Sequence, residues 1–292
     1  MQPVEGSPVI DFSVIGFSFR HMIREGKLDL FSWIDLCADL GIKGLDPWSA
    51  HFSKLKDPAK QLFTGTHPGQ SDIVLDAEDN DFLDEVRAYA VKKGRVFGCM
   101  ACDGPCYVYE PEAWKLPRTR LLAERWIDAS ARLGCRQARI DPGQWHKPEI
   151  PDDVMQTIVE GYRHLVAYGA ARGVKVVVEN HWGCSAYPEA LFAILDAVPG
   201  LGLLHDTNNW ALGKQAEGWI RAAPRAEALH IKCRYWADDG EELNQHIGHA
   251  IQLLKRAGYK GFWGIESVPA DGTDEIEGVR RTMRLIEKYL KD

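Results

Sequence analysis

The 292-residue chain is 45% hydrophobic and 26% charged, the balance of a soluble globular protein with enough apolar material for a large core. Its formal net charge of −7 argues against a broad polyanion-binding face, so neither nucleic acid nor an anionic membrane is an expected partner. No apolar run approaches the roughly 20 residues that span a bilayer, and residues 1–8 lack the basic and apolar regions of a signal peptide; the cytoplasm is the expected location, with residues 1–10 a flexible N-terminal segment.

Ser13 to Phe19 reads as a first strand, and Asp29 precedes an apolar helix that carries Leu30, Ile34 and Cys37 at helical spacing and stops at Gly41. Gly44 to Trp48 is a short second strand. A long polar connection from about Ser49 to Asp76, containing His51 and His67, follows it; connections of that length in compact domains carry function or minor helices. A helix from about Glu78 to Lys93 leads to a third strand, Arg95 to Ala101, and then to a loop from Cys102 to Lys115. Pro117 opens a helix with Leu122, Trp126, Ala129 and Leu133 on one face, and Gln137 to Asp141 is the fourth strand. Pro151 opens the next helix, and Val174 to Glu179 is the fifth strand. Pro188 starts another helix, Leu201 to Asp206 is strand six, a short helix lies near Ala216 to Ala223, and Ala226 to Ile231 is strand seven. A helix with Ile247, Ala250, Ile251 and Leu254, an eighth strand from Gly261 to Glu266, and a last helix with Ile276, Val279, Met283, Ile286 and Leu290 complete the chain.

Strict alternation of strand and helix demands a parallel sheet with right-handed crossovers. Eight such units without a linker predict an α/β fold of one domain over residues 1–292, a closed (β/α)8 barrel. An open doubly wound sheet is the alternative, but no G-x-G-x-x-G follows the first strand. The seven cysteines, an odd number in a chain that needs no staples, are expected as reduced thiols. Cys99, Cys102 and Cys106 form a C-x2-C-x3-C cluster, read as packed thiols because no second ligand pair follows at zinc-site spacing.

Barrel enzymes keep their chemistry at the C-terminal ends of the strands. Four apolar runs there reach Glu179, Asp206, His230 and Glu266. Three oxygen ligands and one imidazole suit a single divalent ion, Mn²⁺ first, with Mg²⁺ or Co²⁺ as alternatives. The competing reading of each glutamate alone is a buried ion pair, but four ligand-type residues at four successive strand ends argue for a shared centre. His205, adjacent to Asp206, points to the opposite face.

Phe17-Ser18-Phe19, Leu36 to Asp46, Val178-Glu179-Asn180-His181, Leu229-His230-Ile231-Lys232 and Gly258 to Glu266 resemble the motifs of the xylose isomerase-like TIM-barrel superfamily of sugar phosphate isomerases and epimerases, over essentially the whole chain. The resemblance implies a metal held by Glu179, Asp206, His230 and Glu266; Glu179 and Glu266, on strands five and eight, are expected to flank it and move the proton. It departs at Asn209, where many sugar epimerases carry histidine, and at Cys233-Arg234, where relatives often have aspartate next. A Lewis-acidic ion beside a hydroxyl and carbonyl would acidify the neighbouring C–H, and two carboxylates could remove and return the proton. The expected activity is isomerisation or epimerisation of a sugar, keto-sugar or cyclitol through an enediolate. A lyase on the same site is the alternative, and an endonuclease IV-like nuclease using His51 and His67 stands behind it.

His181, Lys232, Asn209, Trp48 and Arg234 are the expected substrate contacts, with Arg234 also readable as surface charge. Asp46 and Asp141 end strands two and four, where they would meet substrate hydroxyls or Arg139. Trp48, Trp114, Trp145, Trp182, Trp210 and Trp236 fall in loops after strands and suit stacking on a sugar or an aglycone ring. The partner is thus a small molecule, and a homo-oligomer is allowed.

Overall fold

The computed structural model describes residues 10–52 and 77–291; the N-terminal segment and most of the long connection after the second strand, with His67, lie outside the described residues. The strands are β1 Phe12–Ile15, β2 Gly44–Asp46, β3 Val96–Phe97, β4 Cys99–Ala101, β5 Tyr107–Tyr109, β6 Gln137–Arg139, β7 Asp141–Gly143, β8 Lys175–Glu179, β9 Gly202–Asp206, β10 Ala226–Cys233 and β11 Trp263–Ser267. The helices are α1 Arg20–Arg24, α2 Leu30–Asp39, α3 Ala77–Lys92, α4 Leu116–Leu133, α5 Asp152–Ala170, α6 Pro188–Ala197, α7 Gln215–Ala222, α8 Ile247–Arg256 and α9 Glu275–Lys291. Among the described residues no helix is long and apolar enough to cross a membrane.

Nine strands form one parallel sheet in the order β3-β2-β1-β11-β10-β9-β8-β6-β4. The first strand is flanked by the last: Val14 pairs with Leu45 on one side and Ile265 on the other. The two ends of the sheet, β3 and β4, are separated only by Gly98, so the expected third strand is present in two pieces and the barrel is nearly closed. Asp46 causes the split. Its Oδ1 accepts a hydrogen bond from the Cys99 backbone N–H (2.7 Å) and its Oδ2 accepts one from Ser13 Oγ (2.5 Å). A Cβ at Gly98 would overlap Asp46 Oδ1, so only glycine lets the carboxylate enter the sheet there.

The expected first strand stops early. Gly16–Phe19 is a 3-10 turn rather than strand, and Ser18 Oγ accepts from the Ser267 N–H (3.0 Å), tying the end of β1 to the end of β11. The loop after the third strand holds an unexpected element: β5 pairs in parallel with β7, Tyr107 opposite Asp141 and Tyr109 opposite Gly143. Gly143 sits at φ 119° with its Cα against the Tyr109 carbonyl, a position closed to any Cβ. This small sheet holds Asp141 over the barrel mouth.

Helix boundaries follow local chemistry. Asp29 caps α2 by accepting from the Ser32 N–H (2.9 Å) while Ser32 Oγ accepts from the Asp29 N–H (2.9 Å), a reciprocal cap that satisfies two otherwise orphaned donors. One large apolar core fills the space between sheet and helices. A second, small cluster of Cys99, Val177, Leu204 and Ala228 plugs the barrel interior. Val177, Leu204 and Ala228 each stand two residues before Glu179, Asp206 and His230, so plug and polar groups share the inward face of their strands.

Candidate metal centre

The polar layer above that plug is built by four neighbouring strands. Glu179 ends β8, Asp206 ends β9, His230 lies in β10 and Glu266 in β11. Register sets their heights: His230 pairs with Asp206, and Lys232 with Glu266. One ligand atom from each of the four lies within 4.8 Å of the others, and all four side chains are buried. His230 Nδ1 is 3.3 Å from Glu179 Oε1 and 3.2 Å from Glu266 Oε2, so the imidazole stands between the two glutamates.

Backbone and amide contacts orient this set. Asn180 reaches from the end of β8 to the Asp206 main chain, accepting from its N–H (2.9 Å) and donating to its carbonyl (2.8 Å). Asp206 Oδ1 accepts from the N–H groups of Asn208 (2.6 Å) and Asn209 (2.9 Å). Asn209 Nδ2 donates to Glu179 Oε1 (3.3 Å). Lys232 Nζ lies 2.6 Å from Glu266 Oε1, 3.7 Å from Asp206 Oδ2 and 3.0 Å from Asn209 Oδ1.

The electrostatics show the strain of three buried carboxylates in one place. Burial pushes Asp206 up to about 7 against the pull of Lys232, and the Glu266 and Glu179 charges add to the rise. Burial also opposes ionisation of Glu179, yet the His181, Arg139 and His230 charges hold it down at about 2. Glu266 is likewise driven low against burial by Lys232 and His230. Burial would discharge His230, but its hydrogen bonds to Glu179 and Glu266 raise it to about 10. Asp206 Oδ2 and His230 Nε2 are buried without a hydrogen-bond partner, whereas buried polar atoms are almost always satisfied. Converging carboxylates and imidazole with unsatisfied atoms fit a divalent cation, and an oxygen-rich set suits a hard one.

Next to this set is a second ionic cluster. Arg139 projects from β6 at 2% exposure. Its Nη1 donates to Asp141 Oδ2 and its Nη2 to Asp103 Oδ1, both at 2.7 Å, while Nε lies 3.1 Å from Glu179 Oε2. His181 Nδ1 and Trp182 Nε1 each lie 3.1 Å from Asp141 Oδ2. Burial lowers His181, but the Glu179 and Asp141 charges outweigh it and hold the imidazole up at about 9.

The remaining candidates fall as follows. His181, Lys232 and Asn209 border the four-residue set directly. Trp48 is 1% exposed; its indole N–H donates to Asp103 Oδ2 (2.7 Å) and its ring meets Phe17 edge-on, so it underpins the arginine cluster. Arg234 is exposed. Asp46 is taken up inside the sheet and Asp141 by Arg139. His205 is fully buried beside Trp210, and burial lowers it to about 3. Of the other tryptophans, Trp210 and Trp236 are buried, while Trp114 and Trp182 stand 75% and 45% exposed. Cys99, Cys102 and Cys106 are buried, unpaired thiols whose ionisation is opposed by burial. The side chain of His51, like all of His67, lies outside the described residues. Asp103 is the site residue not named from sequence, and Arg139 was named only as a partner for Asp46 or Asp141; its signal was an arginine at an inward position of a buried strand, which demands carboxylate partners.

The family profile described as xylose isomerase-like TIM barrel matches residues 34–289. The chain belongs to this family. Three solved structures share its barrel at low identity. One is the probable 3-DHS dehydratase AsbF of petrobactin synthesis from Bacillus anthracis: 13% identity, TM-score 0.68, covering 95% of this chain and 99% of that one. Another is D-allulose 3-epimerase from Methylomonas sp.: 13% identity, TM-score 0.68, 96% and 98%. The third is the IolI protein with a bound zinc atom: 12% identity, TM-score 0.71, 97% and 98%. At such identities the likeness concerns the fold. A comparison with curated proteins yields no match.

Proposed function

We propose that this member of the xylose isomerase-like family is a divalent-metal-dependent isomerase or epimerase. Its substrate would be a small sugar, keto-sugar or cyclitol with a carbonyl beside a C–H bearing a hydroxyl. The observation that carries the reading is the placement of Glu179 and Glu266, two buried carboxylates from different strands on either side of His230. A divalent ion, Mn²⁺ by preference, held by Glu179, Asp206, His230 and Glu266 would supply Lewis acidity toward the carbonyl and hydroxyl oxygens.

The protein's own groups would do the rest. One glutamate accepts the proton from the carbon beside the carbonyl; return of a proton by the second glutamate to the opposite face of the same carbon is epimerisation, and return by the first to the neighbouring carbon is isomerisation. Lys232 and the charged His181 are placed to hold substrate oxygens, and Asn209 keeps Glu179 and Lys232 apart at fixed spacing. The fold shared with D-allulose 3-epimerase supports the same chemistry. The seven cysteines, all buried and unpaired, suit a reducing compartment, for which we take the cytoplasm.

A second reading is dehydration. Lys232 Nζ, 2.6 Å from Glu266 Oε1, is a protonated amine beside a carboxylate base, a pair able to hand a proton to a departing hydroxyl, and AsbF is named as a probable dehydratase on the same fold. Incubation of Mn²⁺-loaded protein in D₂O with ketoses, inososes and 3-keto-glycosides, followed by NMR, separates the two. Deuterium beside the carbonyl with a new epimer or isomer supports the first reading. Deuterium with loss of water or aglycone supports elimination. No exchange with any of these substrates counts against both.

A further inference from the structure

We infer that Arg139 is a resident cation of the site: its guanidinium fills the second cluster of ligating groups, Asp103, Asp141 and His181, and clamps Glu179 for the neighbouring metal, so that the chain binds one divalent ion. The inference rests on the metal reading above and goes beyond it in assigning a positioning role to a residue outside the ligand set.

Two groups of metal-ligating side chains meet the same spacing, each with its donor atoms within 4.8 Å of one another. They differ in how a cation meets them. In the first, Asp206 Oδ2 and His230 Nε2 are buried without a hydrogen-bond partner, and Lys232 reaches only its edge at Glu266. In the second, Asp103 Oδ1 and Asp141 Oδ2 each accept from a different nitrogen of one guanidinium at 2.7 Å. The third nitrogen, Nε, faces Glu179 Oε2 at 3.1 Å, and Nη1 also donates to the Cys102 carbonyl (3.2 Å). A planar guanidinium presents its donors in a rigid fork and can hold three carboxylates at once, which a lysine point charge cannot.

Strand register delivers this arrangement. Arg139 pairs with Ala101 of β4 on one side and Val177 of β8 on the other. Its neighbours are therefore the strand that runs into Asp103 and the strand that ends at Glu179, while Asp141 follows two residues later on its own chain. With Oε2 turned to Arg139, Glu179 presents Oε1 to Asn209 and His230. The guanidinium thus selects which glutamate oxygen faces the metal. It also takes one oxygen of each aspartate, Asp141 Oδ2 and Asp103 Oδ1, and puts a positive charge where a second ion would sit.

The test is Mn²⁺ binding by titration calorimetry, with metal content measured after dialysis, on the full chain and on Arg139→Met and Arg139→Lys. The wild type should hold one ion per chain. Arg139→Met should weaken that ion's binding about 10- to 100-fold, the range for losing a contact that orients a ligand. Arg139→Lys, which restores the charge without the fork, should fall between the two and serves as the measurement if the methionine variant does not fold. Two ions in the wild type, or wild-type affinity in either variant, would overturn the inference. A wild type that binds no ion at all would instead bring down the metal reading on which it stands.

Discussion

Two neighbouring clusters in this barrel gather carboxylates and a histidine at the same spacing, and they end in opposite states. In the first, Asp206 Oδ2 and His230 Nε2 are buried without hydrogen-bond partners, while in the second Asp103 and Asp141 are forked by the Arg139 guanidinium. The strands beneath them differ as well. β8 to β11 are five to eight residues long and paired side by side, whereas β3, β4 and β6 are two or three residues long and interrupted at Gly98. The lesson is that ligand-type residues within ligand distance do not by themselves define a metal site. What separates the two is the reach of the cation the chain supplies: the Arg139 guanidinium forks both aspartates of its cluster, while the Lys232 ammonium sits at the edge of the other, against Glu266.

Five substitutions would break or sharpen this contrast. The largest effect is expected at the open cluster: Glu179→Gln and Glu266→Gln should each lower turnover about 10²- to 10⁴-fold, the usual contribution of a positioned proton-transfer group. Near-wild-type rates in both, measured with Mn²⁺ present, would refute the acid/base assignment.

His230→Ala should lose the ion measurably on dialysis. The sign of the pH effect follows from its neighbours. Without metal, Glu179 and Glu266 raise His230 from 6.5 to about 10, so its imidazolium stabilises the fold below pH 6.5 and that contribution is lost as pH rises through about 10. A metal must displace this proton, so affinity should rise with pH up to about 10, with close to one proton released per ion above about pH 7 and more below it, where Asp206 also gives up a proton. Calorimetry in buffers of different ionisation enthalpy reads that number, and no release would contradict the proposed ligand.

At the closed cluster the effects should be on stability and smaller. Asp103→Asn removes one charged partner of Arg139 and should cost about 1.5 kcal/mol by chemical denaturation, the low end for such a bond because Asp103 is partly exposed. Trp48→Phe keeps an aromatic ring against Phe17 but deletes the N–H donated to Asp103 and part of the indole's packing; at least about 0.5–1 kcal/mol is expected. A loss of metal binding in the Trp48 variant larger than in the Asp103 variant would show that the tryptophan acts on the metal side directly.

The open cluster was legible in the sequence because its logic is one-dimensional. Buried parallel strands are short apolar runs, and a Glu, Asp or His at the end of each one stands out against that background. The strand-to-helix rhythm and the capping residue Asp29 were legible for the same reason. The closed cluster was legible only in part: the pairing of Asp141 with Arg139 was one of two readings, but Asp103 sits in a loop and Asp141 is held in place by the pairing of Tyr107 with it, a convergence that exists only in three dimensions. The split at Gly98 was hidden likewise, since it depends on the Asp46 carboxylate turning into the sheet rather than toward substrate. Trp48 looked like a stacking platform from its place after a strand, and only its burial reveals the hydrogen bond beneath the site.

The most direct measurement is an anomalous difference map at the manganese edge from crystals grown with Mn²⁺. The account predicts a single peak among Glu179, Asp206, His230 and Glu266, with Arg139 still between Asp103 and Asp141. A peak within the Asp103, Asp141 and His181 cluster, or no peak at the four-residue set at saturating Mn²⁺, would contradict it.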